Sequence, residues 1–149
     1  MHEPTDHVDV RSASLMDADD VAALLSVLGY PCDREDASER IHAIIANERQ
    51  ALVLARQEGA VCGLIALDFM YYLPLGTTTC RITAMVVTPE AQGRGLGKLL
   101  LREAERRART GGAARLEITS GSQRTDAHAF YRACGYSDGT VRFVKHLGS

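Results

Sequence analysis

A glycine-rich segment between a strand pattern and a helix pattern places the strongest constraint on how this chain can fold. Its glycines stand at alternate positions, Gly93, Gly95 and Gly97, directly before the apolar spacing of a long amphipathic helix. A glycine in a helix costs up to about 1 kcal/mol relative to alanine, so three near a helix start need a compensating reason. Glycine allows close backbone approach to a ligand, and a helix N-terminus presents unpaired N–H groups with a partial positive charge. The segment therefore predicts a phosphate-binding turn, to which Arg94 and Lys98 add positive charge.

Two common phosphate motifs do not fit this segment. A Walker A loop requires glycine at position 92 and Ser or Thr at position 99, where the chain has Gln92 and Leu99. A Rossmann G-x-G-x-x-G pattern places its third glycine one residue later than Gly97. The pattern Q/R-x-x-G-x-G/A does fit, from Gln92 to Gly97.

That pattern is the pyrophosphate loop of the GNAT superfamily of N-acetyltransferases, which this chain resembles. The family also has a V-V-x-P strand exit before the loop, a leucine-rich helix, a short strand, and a helix whose tyrosine precedes a Gly-aromatic pair. The chain supplies these in order at residues 86–89 (VVTP), 99–101 (LLL), 116–119 (LEIT) and 130–136 (FYRACGY). The resemblance extends over nearly the whole chain.

The resemblance implies acetyl-CoA as co-substrate, without a metal, and a set of residues that bind it. Backbone groups on the signature strand are expected to contact the pantetheine, while the side chains there pack in the core; these residues are Met85, Val86 and Val87. Backbone N–H groups of the loop are expected to hold the pyrophosphate; they belong to Gln92, Gly93, Arg94, Gly95, Leu96, Gly97 and Lys98. Tyr131 matches the family residue that donates a proton to the CoA sulfur.

The sequence offers several candidates for the group that removes the amine proton. Many relatives carry a glutamate upstream of the valines, but residues 81–85 (RITAM) contain no acid, and Arg124 replaces an asparagine often found seven residues before the tyrosine. Glu117 is the predicted base, on the opposite sheet face from its apolar neighbours, and Asp68, His128 and a water relay are the alternatives.

Hydrophobic periodicity predicts an α/β fold, a single domain over residues 8–149 with a tail at residues 1–7. Apolar spacing of i, i+3, i+4 and i+7 predicts helices, and β-branched runs predict strands. The predicted order is β-α-α-β-β-β-α-β-α-β, a mixed sheet flanked by helices, with residues 78–119 as its parallel strand–helix–strand unit. The predicted strands are 7–11, 51–57, 61–72, 78–88, 115–119 and one or two within 136–146. The first predicted helix starts after an Asp17 N-cap, and the other three span 35–47, 95–110 and 125–134. The predicted inward positions are Val21, Leu24, Leu25, Leu28, Ala37, Ile41, Ile44, Ile45, Leu96, Leu99, Leu100 and Ala104.

The charge distribution suits a two-substrate site. The net charge of −2 argues against a general nucleic-acid or membrane binder. Residues 1–40 hold ten acidic and three basic side chains, whereas residues 41–149 hold nine acidic and fourteen basic ones. The basic part fits an anionic donor, and the acidic part fits a cationic amine. The candidate acceptor residues are Asp33, Glu35 and Asp36 for charge and Tyr30, Tyr71 and Tyr72 for the pocket wall.

The four cysteines are widely spaced and predict free thiols in a reducing compartment. Residues 1–10 lack a signal-peptide pattern, and no apolar run approaches the ~18 residues of a membrane span. These features predict a cytoplasmic protein. The family resemblance implies an N-acetyltransferase that acts on the primary amine of a small molecule in preference to a peptide. Two alternatives stay open: a non-catalytic acyl-CoA-binding module and an enzyme that uses the loop for another phosphate ligand. A homodimer is possible.

Overall fold

The computed structural model describes residues 7–119, 125–139 and 142–148. The chain divides into two compact units, one up to Thr119 and one from Ser120 onward. In the first unit the strands are β1 (Val8–Ser12), β2 (Gln50–Gln57), β3 (Ala60–Tyr72), β4 (Thr77–Val87) and β5 (Arg115–Ile118), and the helices are α1 (Ala18–Leu28), α2 (Arg34–Ile45) and α3 (Leu96–Thr110). The second unit contains α4 (Thr125–Ala133).

The five strands form one sheet in the order β1-β2-β3-β4-β5. Neighbours pair antiparallel from β1 to β4, and β4 pairs with β5 in parallel, which confirms the predicted mixed sheet and its parallel unit. The β2–β3 hairpin turns at Glu58 and Gly59, with φ of 53° and 82°. Two left-handed residues in a row are what a tight hairpin turn requires.

The sheet is covered on both faces. Leu54 and Leu64 belong to a buried cluster with Val21, Leu24 and Ile41, so α1 and α2 cover that face. Successive strand residues point to opposite faces, so Gly63 faces away from Leu64. A Cβ on Gly63 would lie 3.2 Å from Leu100 Cδ1, which places α3 against the other face.

Most predicted inward positions are buried or half-buried, but two details differ. Ile45 is 57% exposed because it is the last residue of α2, where the helix leaves the sheet. In α3 the buried set includes Leu101 as well as Leu100, while Leu99 is only half-buried. The buried stripe is therefore rotated by part of a turn from the predicted one.

Asp17 stands at the N-cap position of α1, as predicted, but its side chain does not cap that helix. Its carboxylate instead accepts hydrogen bonds from the Arg11 guanidinium at 2.7 and 2.8 Å and from the Ser14 N–H at 2.8 Å. Asp17 is 5% exposed. This ion pair, with Asp17 buried and Arg11 partly exposed, joins β1 to the start of α1.

The predicted closing strand is wrong for the residues the structure describes in that segment, 136–139 and 142–148, none of which is in a strand. Phe143 and Val144 are 91% and 66% exposed there. Apolar side chains stabilise a strand where they are buried against a core. Neither apolar side chain is buried, so the pattern has nothing to drive it into a sheet.

Candidate active site

Strand β4 is bulged near its middle. Leu67 of β3 pairs with Ile82 and Ala66 pairs with Ala84, so Thr83 has no opposite residue on β3. One extra residue bends a strand and reverses which face the following side chains occupy. The segment after Thr83 consequently leaves the direction of the preceding ladder.

The parallel ladder between β4 and β5 stops at the bulge. Its last pair is Ile82 with Ile118, and the Thr119 N–H then donates to the Ile82 oxygen at 3.4 Å. Strand β4 continues to Val87, and in the described part of the chain no strand pairs with it on that side. An unpaired edge offers backbone donors and acceptors to an extended ligand. Met85, Val86 and Val87, the predicted pantetheine contacts, lie along this edge; the Val86 side chain is 7% exposed and packs in the core as expected.

The glycine loop, residues 92–98, follows β4 after a single 3-10 turn (Pro89–Ala91) and has left-handed backbone at two positions. Gly93 and Gly95 have φ of 83° and 80°, and a Cβ at either position would meet no atom within 4 Å. Their requirement is therefore the backbone conformation rather than space. The Gln92 side-chain amide donates to the Val87 oxygen at 3.1 Å and joins the loop to the strand end.

The loop leads into the N-terminus of α3, which presents unpaired donors. The Leu99 N–H donates to the Gly95 oxygen at 3.1 Å, and the N–H groups of residues 96–98 precede this first helical bond. Gly95 supplies no side-chain cap, and the first turn holds no acidic side chain. The Arg94 guanidinium donates a hydrogen bond to the Gln57 side-chain oxygen at 3.0 Å. A 15-residue helix with an uncapped N-terminus favours a bound anion.

Glu117, the predicted base, forms ion pairs with two arginines. The Arg81 Nε donates to Glu117 Oε1 at 3.0 Å, and Arg115 donates to Glu117 Oε2. Burial raises the pKa of Glu117, but the hydrogen bonds from Arg115 and Arg81 outweigh that effect, and the pKa lies below its usual value. The carboxylate is ionised at neutral pH and holds a proton weakly, whereas an efficient base has a pKa near the working pH. Its role as base stays a prediction.

Of the side chains around Glu117, the sequence pointed only to Tyr72, as a candidate for the pocket wall, and not to Arg81, Arg115 or Thr79. The Arg115 guanidinium lies 4.9 Å from the centre of the Tyr72 ring. Thr79 pairs with Arg115 across β4 and β5, and its buried Oγ1 has no hydrogen-bond partner in the described part of the chain. The alternation of side chains along the predicted parallel unit could have identified them, because residues 79 and 81 of one strand and residues 115 and 117 of the next share a sheet face.

The other acceptor candidates differ in their surroundings. Asp33 and Asp36 form a capping box at the start of α2: the Asp36 N–H donates to Asp33 Oδ1 at 2.8 Å, and the Asp33 N–H donates to Asp36 Oδ2 at 3.3 Å. Both carboxylates are therefore already hydrogen-bonded to backbone N–H groups at the N-terminus of α2. Tyr30 and Tyr71 are 66% and 59% exposed.

Tyr131, the predicted acid, lies in the second unit on α4. Its ring meets the Tyr136 ring edge-on at 6.4 Å and the Phe130 ring at 5.7 Å. The Tyr136 N–H donates to the Tyr131 backbone oxygen at 3.0 Å and closes the helix end. These contacts fix the tyrosine within its own unit, and its catalytic role stays a prediction. Arg124 lies outside the described residues.

The cysteines are free, as predicted for Cys32, Cys62, Cys80 and Cys134. Burial raises the pKa of Cys80 to about 11, so its thiol is inert at neutral pH. Within the ranges the structure describes, no group of three or more potential metal ligands occurs. No helix in those ranges is long and apolar enough to cross a membrane.

Comparison with known proteins agrees with this geometry. The model of the acetyltransferase (GNAT) family matches residues 18–136. An aminoalkylphosphonate N-acetyltransferase of Salmonella typhimurium is 32% identical over 140 residues, which cover 93% of this chain and 91% of that protein. An aminoglycoside N(6')-acetyltransferase type 1 of Stenotrophomonas maltophilia is 30% identical, covering 91% and 89%. Among solved structures, a transcriptional regulator from Bacillus halodurans C-125 has a TM-score of 0.87 at 22% identity, covering 95% of this chain and all of that one, and shares the fold.

Proposed function

Because the chain belongs to the acetyltransferase (GNAT) family, we propose that it transfers the acetyl group of acetyl-CoA to the primary amine of a small molecule. The observation that carries the proposal is the continuity of the unpaired β4 edge, the glycine loop and the α3 N-terminus. An extended ligand with an anionic end matches such a path. Both relatives above, which cover about nine-tenths of the chain, are N-acetyltransferases, and this favours an enzyme over a silent acyl-CoA-binding module.

The donor is proposed to bind in two parts. Its pyrophosphate accepts hydrogen bonds from backbone N–H groups in residues 92–98, where the helix N-terminus and Lys98 supply positive charge. Its pantetheine lies along residues 85–87 and pairs with the backbone as a further strand would. Most of these proposed contacts are made by the main chain. Acetyl-CoA affinity is therefore expected to depend more on the backbone conformation of the loop than on most of its side chains.

Acetyl transfer then needs three things from the protein. The amine must lose a proton; at pH 7 a lysine-like amine of pKa about 10.4 pays roughly 4–5 kcal/mol for that. The free amine attacks the thioester carbonyl, a C–N bond forms, and strand N–H groups near Val86 and Val87 stabilise the oxyanion. The C–S bond breaks as Tyr131 donates a proton to the CoA sulfur, while Glu117 or a water relay accepts the proton of the amine.

We propose that the acetyltransferase domain spans residues 8–149 and acts in the cytoplasm as an enzyme for small molecules rather than nucleic acids or membranes. The family match over residues 18–136 supports most of that range. Four free thiols suit a reducing compartment. A homodimer stays a prediction.

Release of CoA thiol from acetyl-CoA in the presence of a panel of primary amines tests the proposal. We expect thiol release that depends on an amine and a matching acetylated product by mass spectrometry. Binding of acetyl-CoA without turnover of any amine would indicate a non-catalytic acyl-CoA-binding module. Tighter binding of ATP or a dinucleotide than of CoA would point to another phosphate-ligand enzyme.

A further inference from the structure

Two guanidinium groups on neighbouring strands share one carboxylate. Arg81 on β4 and Arg115 on β5, called here the arginine pair, bind opposite oxygens of Glu117. A guanidinium has five N–H donors, and Glu117 occupies only some of them on each arginine. The remaining donors have no acceptor within the described part of the chain, and the side chains are 36% and 41% exposed. The pair therefore offers spare donors to solvent from positions that Glu117 already fixes.

The pair lies beside the proposed transfer site but far from the donor phosphates. Arg81 is two residues before the Thr83 bulge, where the strands separate. At about 3.3 Å per residue, the six steps from Arg81 to Val87 place the end of β4, which leads into the glycine loop, about 20 Å away. The pyrophosphate cannot reach both places, so the arginine pair is left to serve the acceptor.

Neighbouring groups suit an acceptor with charges of both signs. Tyr72 supports the Arg115 guanidinium from one side, and Thr79, opposite Arg115, has a buried hydroxyl with no described partner. Asp68 lies opposite Arg81 on β3, and its carboxylate accepts no hydrogen bond from the described residues. A carboxylate without a partner suits an ammonium group, while the spare guanidinium donors suit an anion.

We propose that the arginine pair binds an anionic phosphonate or phosphate group carried by the amine acceptor. The inference rests on the proposed acetyl transfer and specifies its acceptor as an amine that also bears a tetrahedral oxyanion. Three oxygens provide enough acceptors for donors from two guanidiniums, and arginine matches such groups in planar, paired hydrogen bonds. Glu117 holds both guanidiniums close enough together for one anion to contact them. A purely cationic amine would meet two like charges at this position.

Matched acceptors test the inference through turnover. Thiol release is measured with 2-aminoethylphosphonate, with ethylamine, which lacks the phosphonate, and with β-alanine, which has a carboxylate in its place. We expect kcat/KM to be highest for the phosphonate. Arg115→Ala should lower kcat/KM for the phosphonate about ten- to a hundredfold, the usual contribution of charge-assisted hydrogen bonds, and by much more than it lowers kcat/KM for ethylamine. Arg109→Ala, which removes the same charge from the exposed surface of α3, should change neither.

A binding measurement keeps the inference separate from the proposed acetyl transfer. Ethylphosphonate, which has no amine, is titrated into the wild-type protein and into Arg115→Ala by NMR, with circular dichroism to verify the fold of the variant. Binding lost in the variant supports the inference even if no amine is acetylated, in which case only the proposed function fails. Turnover of ethylamine equal to that of the phosphonate, or equal loss for both in Arg115→Ala, would overturn it. Absence of ethylphosphonate binding to the wild-type protein would overturn it as well.

Discussion

The Gln92 side-chain amide donates a hydrogen bond to the backbone oxygen of Val87 at 3.1 Å. Val87 is the last residue of β4, and Gln92 is the first residue of the glycine pattern. This bond joins the strand end to the start of the loop across the four residues between the two partners. We expect it to help order the loop N–H groups that are proposed to bind the phosphates.

Gln92→Ala should weaken acetyl-CoA binding without unfolding the protein. Loss of one neutral hydrogen bond costs about 0.5–1.5 kcal/mol, which corresponds to roughly two- to tenfold in dissociation constant. Isothermal titration with acetyl-CoA measures the effect. Glu90→Ala, at an exposed position in the same connection, is the control and should bind as the wild-type protein does. Equal affinity of both variants would show that the bond does not order the loop.

Gly95→Asp should abolish CoA binding, and Gly95→Asn should reduce it far less. Both side chains are similar in size and must adopt φ near 80°, which Asn and Asp tolerate better than other residues. The carboxylate alone places a negative charge at the α3 N-terminus, where the phosphates are proposed to bind. Titration calorimetry compares the two variants, and equal affinity in both would remove the electrostatic role of this helix end.

Tyr131→Phe should lower kcat by about ten- to a hundredfold while acetyl-CoA affinity stays the same, because a positioned proton donor contributes to the chemical step. Steady-state kinetics and titration calorimetry separate the two quantities. Tyr136→Phe is the control, since it removes a hydroxyl from the ring that packs on Tyr131. An equal fall in kcat for both variants would show that the tyrosines serve packing instead.

Glu117→Gln distinguishes a base from a positioning residue. A base gives a loss of kcat and removes the acidic limb of the pH profile, a limb that must lie below about pH 4.5 because the pKa of Glu117 is lowered. A positioning residue raises KM for the acceptor and leaves kcat nearly unchanged. Asp68→Asn is measured in parallel. A larger loss of kcat in Asp68→Asn would transfer the role of base to Asp68.

Asp17→Asn should lower the free energy of unfolding above about pH 4 and make that free energy depend less on pH between 2 and 4. The hydrogen bond from Arg11 lowers the pKa of Asp17 to about 2. Because the pKa of Asp17 is lower in the folded state, its ionised form stabilises the protein at pH values above the unfolded-state pKa near 3.8. This stabilisation is lost as the pH falls toward 2. The pKa shift corresponds to about 2 kcal/mol. Urea unfolding from pH 2 to pH 7 measures it. Asp20→Asn, exposed on α1, is the control, and identical curves for both variants would contradict the prediction.

Local patterns were sufficient for the elements and for the loop. The alternating glycines before a leucine-rich stripe predicted the strand–loop–helix connection, and Gly93 and Gly95 have left-handed backbone there. The predicted closing strand failed at Phe143 and Val144, two adjacent apolar residues whose side chains are both exposed. Periodicity reports which side of an element is apolar and does not report whether a partner surface is present.

The sequence by itself determined the helices, the strands of the sheet, the parallel unit and the position of the glycine loop, because turn residues, caps and apolar spacing act over a few residues. Only the tertiary structure decided that Glu117 lies between Arg81 and Arg115 and that the β4–β5 ladder ends at Ile82 and Ile118. Strand register and the bulge at Thr83 depend on pairing between residues far apart in the chain. A shift of one residue in that pairing would turn every one of these side chains to the other face of the sheet.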